Sequence, residues 1–231
     1  LRPDARGWWR EEGEAYVSIN SAGMRDDREI AREKPPGVFR VAVLGDSYAE
    51  ALQVPVEHTF WRLLEGRLTG CDYAAGRRIE VLNFGVSGYS TGQQLLALRH
   101  RAAAFGPDLV LLAFLSGNDV RDNSREIAGS FPRPYFDIAP DGGLTLDASF
   151  GDHWVSRLKA SPVWALGDYL RLMQLLNKVK NVLGQPLSAP EARQVAGDIG
   201  LDDRVYLSHP APEWERAWQL TERLIGQVRT E

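Results

Sequence analysis

Three apolar segments of this chain each run into a short loop that carries a polar side chain suited to chemistry. The loops are Gly45–Ser47, Gly85–Gly92 and Ser116–Asp119. A serine hydroxyl can act as a nucleophile, while backbone N–H groups and a side-chain amide can stabilise a developing oxyanion. Brought together, these groups would transfer an acyl group through the serine. Alternatively, the polar residues of these loops only shape the turns.

The apolar segments are predicted to be buried strands of one parallel sheet. The three strands are predicted over Val38–Leu44, Arg78–Phe84 and Asp108–Leu115, and the intervening helices over Glu57–Leu68 and Gln93–Ala104. Alternation of strands and helices predicts right-handed crossovers, which place the carboxyl ends of all three strands at one edge of the sheet. Open α/β sheets bind ligands at that edge. We therefore expect Ser47, Gly88 and Asn118 to converge on one cleft.

The same loops resemble the first three sequence blocks of the SGNH (GDSL-type) hydrolases. The matching residues are Gly45-Asp46-Ser47, Asn83-Phe84-Gly85-Val86-Ser87-Gly88 and Gly117-Asn118-Asp119, preceded by a stretch similar to one bacterial branch, Ile19-Asn20-Ser21-Ala22-Gly23-Met24-Arg25-Asp26. The resemblance covers roughly residues 16–124. It implies a three-layer α/β/α sandwich with a flavodoxin-like parallel sheet, and ester hydrolysis by a serine. It also implies Ser47 as the nucleophile, with Gly88 and Asn118 joining the Ser47 amide as the oxyanion hole.

Three further residues of these loops are expected to support the site. Asp46 is expected to orient the turn or to contact the Ser47 backbone, and its spacing does not fit the aspartate of a catalytic triad. Asn83 is expected to brace the loop that contains Gly88. Asp119 is expected to hold the Asn118 loop by hydrogen bonds.

The fourth block of the family, an Asp-x-x-His that supplies the general base, does not occur in this sequence. The histidines are His58, His100, His153 and His209, and the residues three positions before them are Pro55, Ala97, Phe150 and Tyr206. Two explanations are open. The first is that another residue acts as the base or that the protein is not catalytic. The second is that the chain stops before this block. A helix predicted from Pro212 onward favours the second explanation, because a crossover helix should lead into a further parallel strand. Residues 1–231 are then expected to show only residual activity.

The predicted buried face of that last helix follows helical spacing. Its residues are Trp214, Ala217, Trp218, Thr221, Leu224, Ile225 and Val228. The Trp214/Trp218 pair therefore fits a packed core better than a sugar-stacking surface.

A competing motif lies in the second loop. Gly88-Tyr89-Ser90-Thr91-Gly92 fits G-x-S-x-G, the nucleophile elbow of α/β-hydrolases, with Ser90 as the nucleophile. The upstream oxyanion segment of that fold is missing, and Gly85–Ser87 separates the motif from its strand. Ser90 is otherwise expected to cap the following helix.

The chain is interpreted as one hydrolase domain over residues 1–231. Its parts are a lead-in (1–36), core βα units (37–122), an insert (123–211) and the crossover helix (212–231). Within the insert, a hairpin is predicted from Tyr135–Ile138 and Leu144–Leu146, and a helix over Trp164–Val182. The insert either covers the active site or decorates the core.

Composition restricts the class of partner. The net charge of −4 and the isoelectric point near 5.7 do not favour nucleic-acid binding. Cys71 is the single cysteine, so no internal disulfide forms, and no spacing typical of a metal site or cofactor motif occurs. No apolar stretch reaches the length of a membrane span, which leaves open whether an export signal or anchor precedes Leu1. The family resemblance implies export to the periplasm or cell envelope.

These observations lead to a functional hypothesis with two alternatives. The chain is interpreted as a serine ester hydrolase acting on acyl esters, and the resemblance implies small O-acyl groups on carbohydrate. An O-acyltransferase of the same fold would pass the acyl group to a sugar hydroxyl instead of water. A non-catalytic carbohydrate-binding domain is the third possibility.

Overall fold

The three predicted strands pair side by side in a parallel sheet. The computed structural model describes residues 1–129, 133–152, 156–157, 203–206 and 211–231. Within these residues the strands are β1 (Arg6–Trp9), β2 (Ala15–Ser18), β3 (Val38–Leu44), β4 (Arg78–Asn83), β5 (Leu109–Leu112), β6 (Tyr135–Ile138) and β7 (Leu144–Asp147). The α-helices are α1 (Ser47–Glu50), α2 (Phe60–Thr69), α3 (Thr91–His100), α4 (Ser116–Asn123), α5 (Arg125–Ala128) and α6 (Pro212–Thr230). The predicted helix over Trp164–Val182 lies outside the described residues.

The strand order defines where a ligand can bind. The order is β4-β3-β5, and both neighbours pair with β3 in parallel. The chain thus leaves β3 toward one side to form β4 and returns to the other side to form β5. This is the order with which flavodoxin-like sheets begin, and their ligand crevice lies where the direction reverses. In this protein that position is the carboxyl end of β3 and β5.

Helices cover both faces of the sheet, because alternate strand residues point to opposite sides. One face contributes Ala42, Leu44, Leu82 and Phe84, which pack with Leu95 and Leu98 of α3 and Leu224 of α6. The other contributes Val41, Val43 and Val81, which pack with Ala49 and the fully buried Trp61 of α2. The result is an α/β fold of three layers, as predicted.

The structure differs from the predicted element boundaries in the loops that follow β3 and β5. The loops after β3 and β5 were expected to be irregular, but α1 and α4 start there directly. Side chains that satisfy free backbone N–H groups explain both starts. Asp46 accepts from the Tyr48 N–H at 2.9 Å, and Asp119 reaches back to the Leu115 N–H at 2.8 Å. The third strand, Leu109–Leu112, is also shorter than the predicted Asp108–Leu115.

Two hairpins flank the sheet. The predicted pairing of β6 with β7 is confirmed, with Ile138 opposite Leu144 and Phe136 buried in the main core. The lead-in forms a second antiparallel hairpin from β1 and β2, in which Trp8 faces Tyr16 at a ring distance of 5.6 Å.

The last helix begins at Pro212, as predicted, and packs against α3 and α4. Its Thr221 hydroxyl accepts from the Asn123 amide at 2.9 Å, which ties α6 to α4. Trp214 is buried, as the spacing indicated. The prediction was wrong for Ile225, which is exposed, whereas Leu220 is buried in its place. None of the described helices is long and apolar enough to cross a membrane.

Candidate active site

Close packing of α1 between two loops fixes the position of Ser47. A side chain at Gly45 would bring a Cβ within 2.6 Å of the Ala49 Cβ, and one at Gly85 would come within 2.5 Å of the same atom. Glycine is therefore required on both sides of the buried Ala49. This approach holds Ser47, two residues earlier, at the carboxyl edge of the sheet, where it is partly exposed.

A hydrogen bond joins the ends of β3 and β5. The Asn118 Nδ2 donates to Asp46 Oδ2 at 2.9 Å, and Asp46 is 1% exposed. Because an ionised carboxylate only accepts, the Asn118 amide must turn its nitrogen toward Asp46. One N–H of Nδ2 is used in this bond, so the other remains for a second acceptor. Asn118 thus lies beside the residue that directly precedes Ser47.

The second loop is tied to the same helix. Asn83 donates through Nδ2 to the Ala49 carbonyl at 2.9 Å and accepts from the Gly85 N–H at 2.9 Å. The predicted bracing role of Asn83 thus corresponds to two bonds from one side chain. Gly88 lies exposed in this loop with a φ of +77°, a conformation that favours glycine.

Glu50 is a supporting residue that sequence reasoning missed. It is 3% exposed, and its Oε2 accepts from the Ser87 N–H at 2.6 Å and from the Ser87 hydroxyl. The contact fixes the peptide that precedes Gly88 against α1. A glutamate three residues after a serine carries no motif signal, so only the folded contact identifies it.

Removing the Glu50 carboxylate should loosen the Gly88 loop. We expect Glu50→Ala to raise the exchange rate of the Ser87 amide about tenfold, because a hydrogen bond to a charged group contributes about 1.5 kcal/mol or more. Glu50→Gln keeps an acceptor oxygen but loses the charge, so its exchange rate should fall between those of the wild type and Glu50→Ala. Amide hydrogen exchange followed by NMR measures both. Equal exchange in the two variants and the wild type would show that the contact does not restrain the loop.

Asp119 is fully buried behind the Asn118 loop. Its Oδ2 accepts from the Leu115 N–H at 2.8 Å and its Oδ1 from the Gln94 amide at 3.2 Å, so it holds the loop by hydrogen bonds. The pKa of Asp119 is raised to about 8, mainly by burial; the carboxylates of Asp46 and Asp122 also raise it, while the hydrogen bonds from the Leu115 N–H and the Gln94 amide lower it. The side chain is therefore mainly neutral at pH 7.

Ser90 occupies a different environment from Ser47. It precedes α3 as its N-cap in a capping box with Gln93, whose Oε1 accepts from the Ser90 N–H at 3.3 Å. Ser90 is 2% exposed. A serine used in this way at a helix start is less suited to attack a substrate than a partly exposed one, which weakens the elbow interpretation.

Neither described histidine, His58 or His100, forms a hydrogen bond with Ser47. Among the residues that the structure describes, the Ser47 hydroxyl makes no hydrogen bond. His100 is the last residue of α3, a crossover helix that leads from the carboxyl edge of the sheet to the opposite edge. His58 precedes α2 and lies exposed. His153 and His209 fall outside the described residues.

Described parts of the insert reach two of the three loops. The Tyr206 hydroxyl lies 2.6 Å from the Ser116 hydroxyl at the start of α4. Arg133 donates to the Gly88 carbonyl at 3.4 Å and forms an ion pair with Asp122. The insert therefore contributes both to the core, through Phe136, and to the rim of the candidate site.

Comparison with known proteins does not assign this chain to a family. The chain matches no protein-family model, and no curated protein is significantly similar to it.

Proposed function

We propose that this protein is a serine ester hydrolase of the SGNH (GDSL) type that acts on acyl esters through an acyl-enzyme. One observation carries the proposal. Ser47 and Asn118 lie at the same edge of the sheet, connected through Asp46, at the reversal point of the strand order. A partly exposed hydroxyl and an amide donor held at one edge of the sheet would supply the nucleophile and one oxyanion donor for acyl transfer.

The proposed reaction has two halves. Ser47 Oγ attacks the carbonyl carbon of the ester, and its proton passes to a base and then to the departing alcohol. Water next attacks the acyl–Ser47 ester, releases the carboxylic acid and restores the serine. In both halves the charge on the carbonyl oxygen would be stabilised by the N–H groups of Ser47 and Gly88 and by Asn118 Nδ2.

The preorganisation of Asn118 supports its proposed role. Asp46 holds one N–H of the amide, so the direction of the other N–H is fixed before a substrate binds. Asp46 is itself satisfied by the Tyr48 N–H and Asn118, which keeps this buried carboxylate in place. A donor fixed in advance needs no reorganisation when charge develops on the carbonyl oxygen.

Among the residues that the structure describes, none is assigned as the general base of this mechanism. A serine hydroxyl is a weak nucleophile without a neighbouring base. A carbohydrate-binding domain that has kept the fold needs no base and is the second candidate. An O-acyltransferase would use the same acyl-enzyme.

A covalent probe separates these possibilities. We expect a fluorophosphonate to modify Ser47, and mass spectrometry of the digested protein locates the adduct. Ser47→Ala should abolish labelling, whereas Ser90→Ala, the matched serine of the competing motif, should retain it. An adduct on Ser90 alone would contradict the proposal and favour the elbow. A folded protein that labels at neither serine would favour the binding domain.

A further inference from the structure

A cavity of about 330 Å³ opens beside Ser47, on the side of α1. We call it the Tyr48 cavity. Its lining residues are Glu12, Ser47, Tyr48, Ala51, Gln53 and Val54. The Tyr48 and Val54 side chains are exposed to it as large apolar groups. A carboxylate and an amide complete the lining, so the cavity combines one aromatic ring with polar groups.

Buried interactions hold one wall of this cavity rigid. Arg25 is 1% exposed, and its guanidinium donates to the backbone carbonyls of Glu50, at 2.8 Å, of Ala51 and of Val54. A permanently charged group with planar donors fixes these carbonyls, and with them the segment that follows α1. The wall is therefore preformed and does not depend on a ligand.

Unfavourable backbone conformations occur on two sides of the cavity. Ala51 has a φ of +53° and Glu12 a φ of +59°, both in the left-handed region that residues with a Cβ avoid. Such conformations persist only where the surroundings impose them, and they cluster at functional sites. Ala51 is the C-cap of α1, and its N–H donates to the Ser47 carbonyl at 2.7 Å, so the cavity wall continues directly from the helix that carries Ser47.

The β1–β2 hairpin forms the opposite wall. A Cβ at Gly13 would lie 2.4 Å from the Gln53 carbonyl oxygen, so glycine allows the hairpin turn to contact the segment after α1. The Gln53 amide also donates to the Glu12 carboxylate at 3.0 Å, at an exposed position. Because this bond is solvent-accessible, hydroxyl groups of a ligand can replace it at little cost.

The combination of groups identifies the ligand class. A sugar ring presents apolar C–H faces, which pack on an aromatic ring, and hydroxyl edges, which bind carboxylates and amides. An acyl chain in the same place would desolvate Glu12 and Gln53 without hydrogen bonds in return. Glu12 forms no ion pair among the described residues, so its carboxylate disfavours an anionic sugar.

We propose that the Tyr48 cavity binds the alcohol part of the ester, and that this part is a neutral carbohydrate. The inference rests on the proposed function for Ser47 but concerns a separate set of contacts. Tyr48 would stack on the sugar ring, while Glu12 and Gln53 would hydrogen-bond its hydroxyl groups. The acyl carbonyl would then face Ser47 and Asn118.

Binding tests the cavity without requiring turnover. Calorimetry with xylotriose as the neutral probe should show affinity for the whole protein, and Tyr48→Ala should weaken it about tenfold, the scale of one lost aromatic contact. Tyr48→Phe keeps the ring and should bind within about twofold of the wild type. Unchanged affinity in Tyr48→Ala, or no affinity for xylotriose in the wild type, would overturn the proposal.

Charge gives a second test. We expect Glu12→Gln to increase binding of trigalacturonate, the anionic probe, about two- to fivefold at low salt, because an exposed charge contributes modestly. Glu11→Gln is the matched control: it removes the same charge from the adjacent residue, which does not line the cavity. Equal effects of both variants would show that net charge, and not the cavity, is responsible.

Turnover separates this proposal from the proposed function. With O-acetylated xylo-oligosaccharides and vinyl acetate as substrates, Tyr48→Ala should lower kcat/KM for the sugar ester about tenfold more than for vinyl acetate, whose alcohol is too small to fill the cavity. An equal loss on both esters would contradict the cavity assignment alone. No hydrolysis of either ester, together with xylotriose binding that depends on Tyr48, would contradict the hydrolase and retain the cavity.

Discussion

Replacing Asn118 with alanine is expected to lower kcat for ester hydrolysis about 10²–10³-fold, or roughly 2.7–4 kcal/mol, with little change in KM. The physical reason is that the second N–H of Asn118 Nδ2 would act on the charge that develops on the carbonyl oxygen. The ground-state ester carries much less charge there, so its binding depends less on this donor. Steady-state kinetics of the variant on a soluble acetate ester provide the measurement.

A variant of Asp46 distinguishes the hydrogen bond that Asn118 donates to the oxyanion from the anchoring of Asn118 by Asp46. Asp46 accepts from the Tyr48 N–H through one oxygen and from Asn118 through the other, whereas Asp46→Asn has a single acceptor oxygen. The variant weakens the anchor of Asn118 but leaves its amide in place, so we expect a smaller loss of kcat than in Asn118→Ala. Thermal unfolding of both variants checks that the fold is retained. An Asn118→Ala protein with near wild-type kcat would remove this residue from the oxyanion hole.

The placement of Ser47 and Asn118 at one edge was predictable because it depends on few facts. Each follows a buried apolar segment, and parallel strands joined by right-handed crossovers share their carboxyl edge. Local patterns determine these features, and the β6–β7 hairpin was predictable for the same reason. The turn residues between Ile138 and Leu144 mark it in the sequence.

The contacts that complete the site could not be predicted, because they join residues far apart in the chain. Glu50 and Ser87 are separated by 37 positions, and no spacing rule connects them. Arginine is a residue type that is mostly exposed, yet Arg25 is buried beneath the segment after α1. The Tyr48 cavity likewise depends on how the β1–β2 hairpin docks onto Gln53, which follows from tertiary packing.

The raised pKa of Asp119 predicts that this residue makes the protein less stable as the pH rises. An aspartate in the unfolded chain loses its proton near pH 3.9, whereas folded Asp119 keeps its proton until about pH 8. Between these values the folded state binds more protons than the unfolded state. The contribution of Asp119 to the free energy of unfolding is therefore largest below about pH 4, falls through the window and levels off above about pH 8.

Asp119→Asn should remove this dependence. Asparagine keeps an oxygen for the Leu115 N–H and cannot ionise beside Asp46 and Asp122. Urea unfolding at pH 5, 7 and 9 should show wild-type stability falling relative to the variant by up to about 1.4 kcal/mol per pH unit within the window. Asp137→Asn, at an exposed position, controls for the loss of one carboxylate. Parallel pH profiles of the wild type and Asp119→Asn would mean that Asp119 is already ionised at neutral pH, and that a second negative charge lies beside Asp46 at the candidate site.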